Sequence, residues 1–272
     1  MRIDKRGIDV PSKEITSSAE PLSGLFRFAG ELGVFGFRAI REAFRPPFEF
    51  GETAKQVFEV GWRSTPLIIA SGFAFGIVLS LQTRSSMVSF GAQAMIPQAV
   101  SIGLFRDIGP VIAALLISGR VGAGIGAQLA GMRVTEQIDA LESLAVDSFK
   151  YLVVTRIVAC VITLPILTTL LDFAGLAGGI VSEMIVANGM SATLYINDAF
   201  GPMGWSDYIP PTLKTVVFGF IIGTVSCYLG YTATQGAAGV GRASTRSVVF
   251  SSLLVMLSDV ILVKIILFWW PA

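Results

Sequence analysis

The stretch IGPVIAALLISGRVGAGIGAQLAG, residues 108–131, contains a single charged side chain, Arg120, and the charged segment MRVTEQIDALESLAVDSFK, residues 132–150, follows it directly. A helix of about 20 mainly apolar residues can cross the hydrocarbon core of a bilayer, which is about 30 Å thick. The first segment therefore predicts a transmembrane helix, and the second predicts a connection at the membrane surface.

The composition extends this prediction to the whole chain. Of its 272 residues, 53% are hydrophobic and only 14% are charged, which is typical of an integral membrane protein. Backbone polar groups in lipid must be paired within the spanning segment, so apolar runs of this length predict helices. The expected fold class is an all-α polytopic membrane protein with about five transmembrane helices, because four further runs have the required length: residues 65–82, 151–187, 212–232 and 248–270.

The run at residues 151–187 is too long for one upright span, because a helix of that length extends over about 50 Å. We expect a span from Tyr151 to about Leu171, and the glycine-rich stretch at residues 175–179 predicts a bend after it. Residues 173–187 are then either a separate span, which gives six spans in total, or a continuation on one side, which gives five.

Loop charges favour five spans, since Lys and Arg accumulate on the cytoplasmic side of membrane proteins. With a cytoplasmic N-terminus, the ten basic residues of segment 1–63 and those of two later connections lie on that side. Only three basic residues are then left in the outer connections: Arg84, Arg106 and Lys214. Six spans would move Arg242 and Arg246 outside, so we predict five.

The N-terminal quarter of the chain is too charged to cross a bilayer. We predict a cytoplasmic tail over residues 1–23, an interfacial amphipathic region over residues 24–63 and the transmembrane domain over residues 64–272. The interfacial region begins with a helix at residues 24–44, which mixes Phe, Leu and Val with Arg and Glu. Long Arg side chains on such a helix can reach the headgroups while its apolar face lies in the interface.

The connection at residues 132–150 has the pattern of a short amphipathic helix over residues 134–146. Thr135 is a candidate N-cap, and Ile138, Leu141 and Leu144 recur at helical spacing. Two basic and four acidic side chains give the connection a net charge of −2, whereas the anionic lipid of a cytoplasmic leaflet attracts basic helices. The sign of the charge favours a protein partner, and the alternative is a connector that rests on its own bundle.

Ionisable residues within or near the apolar runs form a second group of candidates. Each charge costs about 2.5 to 3.5 kcal/mol at the centre of a span on insertion scales, so these side chains need protein, water or the interface around them. Arg120 and Asp259 are deep enough to require partners. The group is explained either by structural ion pairs or by a path for headgroups or ions: Arg120, Asp172, Glu183, Lys214, Asp259 and Lys264.

Several kinds of chemistry are excluded by residues that the sequence lacks. It contains no histidine, no GxxxxGK[ST] phosphate loop and no HExxH or GxSxG motif. We therefore expect no catalytic residues, no metal site and no cofactor in this chain. Its formal net charge of +1 gives no sign of nucleic-acid binding.

Two long blocks carry a resemblance to a known family. Residues 109–159 and residues 213–254 resemble the MlaE/YrbE permeases, the membrane subunits of ABC transporters associated with MCE-domain proteins. The shorter stretches LFRDIGP, residues 104–110, and RPPFEF, residues 45–50, fit the same family. The likeness extends over about residues 24–268.

The resemblance implies a homodimeric permease subunit for a phospholipid-like substrate in the bacterial inner membrane. Its partners would be an MCE-domain protein and a separate cytoplasmic ABC ATPase, which would bind ATP and Mg. The acidic helix would be the coupling helix that enters a cleft of the ATPase, with Ile138 and Leu141 filling the groove. The coupling residues implied are Arg133, Glu136, Gln137, Ile138, Asp139, Leu141 and Glu142.

The resemblance also implies a lipid cavity at the dimer interface, open toward the periplasm, to which five residues would contribute: Leu81, Gln82, Arg84, Arg106 and Asp107. Asp107 and Gln128 depart from the family pattern, which usually has Glu at both positions. The alternative function is an ion-coupled secondary transporter that uses Asp172, Glu183 or Asp259 as its ion site.

Overall fold

The computed structural model describes residues 20–46, 48–186, 191–234 and 236–269, with side chains from residue 27 onward, and the regular structure in these residues is helical. We number the helices in chain order: α1 Glu20–Ala43, α2 Phe50–Ser89, α3 Gln93–Val134, α4 Gln137–Ser143, α5 Phe149–Val186, α6 Ala192–Phe200, α7 Trp205–Tyr231 and α8 Gly236–Trp269. Most of the predicted tail at residues 1–23 lies outside the described residues, as do residues 187 and 270 at the ends of two predicted spans.

Five helices are long and apolar enough to cross a membrane: α2, α3, α5, α7 and α8. The chain is therefore an all-α, multi-pass membrane protein, as the apolar runs predict. All five helices begin before the predicted apolar runs, and α7 begins seven residues before its run. Polar residues can continue a helix beyond the hydrocarbon core. In α2, the amphipathic stretch before Pro66 and the first span form one continuous helix.

The predicted bend in the third span is wrong. Helix α5 runs without a break through Gly175, Gly178 and Gly179, and its 38 residues extend over about 57 Å. These glycines are contact points: a Cβ on Gly178 would overlap the backbone of Phe73 in α2, and one on Gly76 would overlap that of Gly175. Small residues let two backbones touch, and a long helix can tilt or protrude from the bilayer.

Helix α5 occupies the middle of the bundle, with α2 on one side and α7 on the other. Its contact with α7 also uses glycine, since a Cβ on Gly219 would lie 2.6 Å from the carbonyl oxygen of Cys160. Helix α8 is outermost and packs on α3 and α7. Cys160 and Cys227 are both buried and unpaired.

Helix α1 packs on the bundle through aromatic rings. The ring of Phe35 lies 5.1 Å from that of Phe149 and 5.4 Å from that of Tyr228, measured between centroids. The hydroxyl of Tyr228 donates to Glu31 Oε2 at 2.5 Å, and this hydrogen bond, with a second one from Arg27, lowers the pKa of Glu31 below its ordinary value of 4.5. The opposite face exposes Val34 and Phe37, a composition suited to a membrane interface.

The spans alternate in direction, so the molecule has two ends. The α4 end contains α4, the α1–α2 connection and the α7–α8 connection. The far end contains the α2–α3 connection and α6. Three wider, π-helical turns interrupt the spans, at Leu104–Ile108, Ser118–Gly122 and Phe149–Val154, and each contains one basic residue. Such turns are rare and are frequent at functional sites.

Candidate functional site

The acidic helix α4 is shorter than the sequence predicts. It covers Gln137–Ser143, where we expected residues 134–146, and Thr135 does not cap it. Helix α3 continues to Val134, and the Thr135 hydroxyl donates back to the carbonyl of Gly131 at 2.9 Å. The chain reverses instead through Glu136 and Ala145, whose φ angles are 58° and 59°. A left-handed conformation at non-glycine residues costs of order 1 to 3 kcal/mol, and it persists only where the surroundings enforce it.

The apolar residues of α4 divide between the bundle and the surface. Ile138 is fully buried at 0% exposure and Leu141 is half-buried against the same cluster. Ile138 therefore anchors α4 to its own chain, and the expectation that it fills a partner's groove is wrong. Leu144 is 75% exposed and Val146 is 37% exposed just after the helix, so these two residues form its free apolar surface.

The charged residues of α4 divide in the same way. Arg133 pairs with Asp139 at 2.7 Å, which ties α4 to the end of α3. Ser148 donates to Glu142 at 2.6 Å, and the hydroxyls of Ser148 and Tyr231 are 2.9 Å apart, which ties Glu142 to the end of α7. By contrast, the side chains of Glu136 and Gln137 are exposed and bond to no side chain that the structure describes.

Lys150 joins this end of the molecule to the α1–α2 connection. Its side chain is buried, and its Nζ donates to the carbonyl of Arg45. The backbone N–H of Lys150 donates to Asp147 Oδ1 at 3.1 Å. A movement of the α4 connection is thereby linked to α2 as well as to α3 and α7.

At the far end, both arginines expected to bind lipid have partners in their own chain. Arg84 in α2 pairs with Glu183 in α5 at 2.6 Å, and Ser80 donates to the same carboxylate at 2.9 Å. Arg106 in α3 lies 3.7 Å from Asp207 in α7. Glu183 is buried, whereas the Arg84 side chain is 21% exposed and that of Arg106 is 25% exposed.

The five predicted lipid-binding residues lie on two spans, α2 and α3. Within the described residues, no hydrogen bond or ion pair joins Leu81, Gln82 or Arg84 of α2 to Arg106 or Asp107 of α3. Leu81, Gln82 and Asp107 are exposed on the surface of the bundle.

The hydroxyl of Tyr195 in α6 is a buried polar group close to Glu183. It has no hydrogen-bond partner in the described part of the chain. Burial and then the charge of Glu183 raise the pKa of Tyr195 above its ordinary value of 10.0.

The polar residues within the spans have different environments. Arg120 donates to Ser64 at 2.6 Å and lines a groove of about 330 Å³ between α2 and α3, together with Arg63, Glu59 and Gln128. Asp172 is buried, and its Oδ1 has no hydrogen-bond partner among the described residues. Gln128 thus shares the groove between α2 and α3 with two guanidinium groups, those of Arg63 and Arg120.

Lys214 and Asp259 form an ion pair, with Nζ and Oδ1 2.9 Å apart. The angles at this contact do not meet those of a hydrogen bond, so the attraction is mainly electrostatic. Lys214 is only 3% exposed, and its assignment to an outer connection is wrong because α7 begins nine residues earlier, at Trp205. Asp259 thus has the partner that its depth requires.

Sequence reasoning did not find Ser80, Ser148 or Tyr231. Tyr231 contacts Glu142 across 89 positions of sequence, and Ser80 contacts Glu183 across 103. No local pattern connects residues so far apart, although the depth of Glu183 in an apolar run signals that it needs a partner.

Comparison with known proteins identifies the family. The family model "Permease MlaE" matches residues 53–265, which include all five spans and α4. The chain belongs to the MlaE permease family. This MlaE-family chain is a membrane transport subunit, in agreement with the absence of catalytic motifs from its sequence.

Relatives of this MlaE permease occur in several groups of organisms. A probable ABC transporter permease protein of Rickettsia bellii is 40% identical over 236 residues, which cover 87% of this chain and 91% of that protein. The intermembrane phospholipid transport system permease protein MlaE of Haemophilus influenzae is 31% identical over 252 residues, which cover 92% and 96%. A probable ABC transporter permease protein of Porphyra purpurea is 33% identical over 196 residues, which cover 72% and 74%.

Proposed function

We propose that this chain is the permease subunit of an ATP-driven phospholipid transporter in a bacterial inner membrane. It works as a homodimer with a separate cytoplasmic ABC ATPase, which binds ATP and Mg, and with an MCE-domain protein. Two observations support the substrate and the energy source: the Haemophilus influenzae relative is named as part of a phospholipid transport system, and other relatives are named as ABC transporter permeases.

The observation that carries the proposal is the surface of α4. Glu136 and Gln137 are exposed and free of partners among the described side chains, and Leu144 and Val146 add an exposed apolar patch beside them. An acidic surface is repelled by anionic lipid, so a protein with a basic, partly apolar cleft complements it better than a membrane does. In the proposed orientation the α4 end is cytoplasmic, where an ABC ATPase is found.

The mechanism is a shift between two conformations. ATP binding brings the two ATPase subunits together, and the α4 helices move with them because the ATPase holds their exposed surfaces. Arg133, Glu142 and Lys150 pass this movement to α3, α7 and the start of α2 through the contacts described above. The permease residues transmit the movement and bind lipid, and ATP is hydrolysed in the partner ATPase.

The far end supplies the lipid site in this proposal. Leu81, Gln82 and Asp107 are exposed in one chain, and in this proposal a second copy encloses the cavity that they face. Arg84 and Arg106 each keep donors free for a phosphate, because a guanidinium has five N–H groups and each arginine has one carboxylate partner.

Leu144→Asp tests the proposal. The substitution places a charge in the exposed apolar patch without touching the core, and we expect lipid transfer to fall at least about tenfold, equal to about 1.4 kcal/mol of coupling. Transfer between liposomes and ATP hydrolysis are measured with the co-purified ATPase. Asp139→Lys should give a similar loss. Leu141→Asp is less informative, because Leu141 also packs against its own bundle.

Ala237→Asp is the matched control, since Ala237 is exposed at the same end and at a different connection. It adds the same charge and should leave transfer unchanged. Normal co-purification of the ATPase and normal transfer in both Leu144→Asp and Asp139→Lys would contradict the proposal.

The alternative of an ion-coupled secondary transporter is favoured by one observation, the unpartnered carboxylate of Asp172 in α5. Its other two candidate carboxylates have basic partners, Arg84 for Glu183 and Lys214 for Asp259. This alternative predicts lipid or solute movement driven by a proton or sodium gradient in liposomes that contain this chain alone. Movement that requires the ATPase and ATP excludes it.

A further inference from the structure

An aromatic pocket of about 240 Å³ lies at the far end of the molecule, between α3, α5 and the α6–α7 connection. The ring of Phe105 is its centre, with the rings of Tyr208, Phe173 and Phe200 at 5.7, 5.8 and 6.2 Å between centroids. Met203 and Trp205 complete the wall. None of the five residues predicted to bind lipid lines the pocket, and one of them, Arg106, adjoins it.

Local structure explains why these rings surround a space. Phe105 belongs to the π-helical turn Leu104–Ile108 and is only 2% exposed, so it forms the floor. The hydroxyl of Tyr208 is 3.1 Å from that of Thr169, so its polar group is satisfied and its ring remains available to the pocket. Phe173 is 50% exposed and Trp205 is 82% exposed, and these two residues form the rim.

The position of the pocket restricts what can enter it. Three membrane-crossing helices supply its walls, and Trp205 is the first residue of α7, a position where tryptophan commonly marks the membrane interface. The apolar molecules available at that depth are the acyl chains of lipids. Hydrophobic transfer does not favour the pocket over the bilayer, because both are apolar. Preference must come from contact with rigid aromatic walls and from a polar contact at the rim.

A suitable polar contact adjoins the pocket. Arg106 follows Phe105 in the chain, and its distance of 3.7 Å from Asp207 is too long for a hydrogen bond. Asp207 is already engaged by the backbone N–H of Gly204 at 3.0 Å. Arg106 makes no hydrogen bond to any residue that the structure describes, so its guanidinium can donate to a phosphate.

We propose that this pocket binds one acyl chain of a glycerophospholipid, with the phosphate of that lipid beside Arg106. The site is contained within one chain and needs neither a second copy nor the ATPase. Arg106 also belongs to the lipid site of the proposed function, so the headgroup contact rests on that function. The aromatic pocket itself lies outside the five residues of that site, and lipid binds there in the absence of transport.

Photolabelling tests this site. The full-length chain is placed in nanodiscs that contain a small fraction of a phospholipid with a diazirine in the half of one acyl chain nearest the glycerol, and labelled peptides are mapped by mass spectrometry after irradiation. We expect label to be concentrated at Phe173 and at residues 200–208, above its level on the exposed face of α8. Met203→Trp, which fills the space, and Phe173→Gln, which makes the rim polar, should each remove this enrichment.

Met184→Trp and Phe75→Gln are matched controls, because these residues are 50% and 42% exposed on other surfaces of the spans. Both should leave the enrichment intact. Even labelling of all lipid-facing surfaces, or enrichment that survives both pocket variants, would overturn the proposal. Protection of the pocket by a co-purifying membrane protein would also overturn it, in favour of a partner helix. The experiment contains no ATPase and no nucleotide, so its outcome does not depend on the Leu144→Asp test.

Discussion

Several charged residues of the spans pair with a residue of another span, whereas Arg63 pairs with Glu59 along α2. Arg84 contacts Glu183 over 99 positions of sequence, and Lys214 contacts Asp259 in the next span. The depth of Asp259 in an apolar run predicts that a partner exists. It cannot predict which residue that partner is, because the pairing depends on how α7 and α8 rotate against each other. The sequence also places Lys214 in an outer connection, because it does not show that α7 begins at Trp205.

Asp259→Asn should destabilise the protein by about 3 kcal/mol, because it leaves the buried ammonium of Lys214 without a counter-charge. This is the lower end of the range for breaking a buried pair, since the Asp259 side chain is 21% exposed. Unfolding in detergent is the measurement. The double variant Lys214→Met/Asp259→Leu should recover most of the loss. Lys264→Gln, an exposed position on the same helix, should change stability by less than about 0.5 kcal/mol; an equal loss there would count against the pair.

Helices in this molecule meet where glycine allows their backbones to touch. The sequence shows the spacing of Gly72 and Gly76, but spacing alone does not say whether such a face meets a helix of the same chain or of another. In the structure both residues face α5, and a Cβ on Gly72 would lie 2.5 Å from the carbonyl oxygen of Leu171. The glycine-rich stretch of α5 predicts a bend from the sequence, because glycine occurs both at bends and at close contacts between helices.

Gly76→Ala should separate α2 from α5 and destabilise the protein by about 1 to 3 kcal/mol, the usual cost of overpacking. Gly241→Ala is the control, because a Cβ there meets nothing within 4 Å. Alanine in place of an unconstrained helical glycine should stabilise the helix by about 0.5 to 1 kcal/mol. Thermal unfolding distinguishes the two variants, and similar shifts in both would refute the close contact.

Docking of α1 on α7 should depend on pH. The hydrogen bonds from Tyr228 and Arg27 lower the pKa of Glu31 in the docked state. A carboxyl group of this kind favours docking at pH values above its ordinary pKa of 4.5, and the contribution disappears as the pH falls through the lowered value. Spin labels on Gly33→Cys and Thr232→Cys should report a broader distance distribution below that pH. Glu31→Gln should remove the dependence, and Glu59→Gln should preserve it.

At the scale of the whole molecule, the apolar runs predict the number of spans, and the resemblance of residues 109–159 and 213–254 predicts the family, which the comparison confirms. The length of each span was underestimated because helices continue past the lipid. Apart from Ile138, which is buried in its own chain, the coupling and lipid-binding residues remain predictions, since they concern partners. The aromatic pocket could not be predicted, because its residues come from four separate helices and a connection.

The two ends of the bundle lie on opposite sides of the membrane, and loop charge predicts that the α4 end is cytoplasmic. Ser143→Cys should react with a membrane-impermeant thiol reagent only from the cytoplasmic side, and Ser89→Cys only from the outer side. Cys160 and Cys227 are buried, so the unaltered chain provides the blank. Reaction of both variants from the same side would contradict a membrane crossing by α3.

Helix α3 runs from the far end to the acidic helix without a loop. Phe105 lies twelve residues after its start and Arg133 lies next to its last residue, about 42 Å apart along the axis. The aromatic pocket and the surface proposed to contact the ATPase are thus attached to one continuous helix. When α3 tilts about a point within the membrane, its two ends move in opposite directions. The two π-helical turns are the points at which α3 can bend. The turn Ser118–Gly122 lies between the two sites, so a substitution that removes it changes how far one end moves with the other while leaving both sites intact.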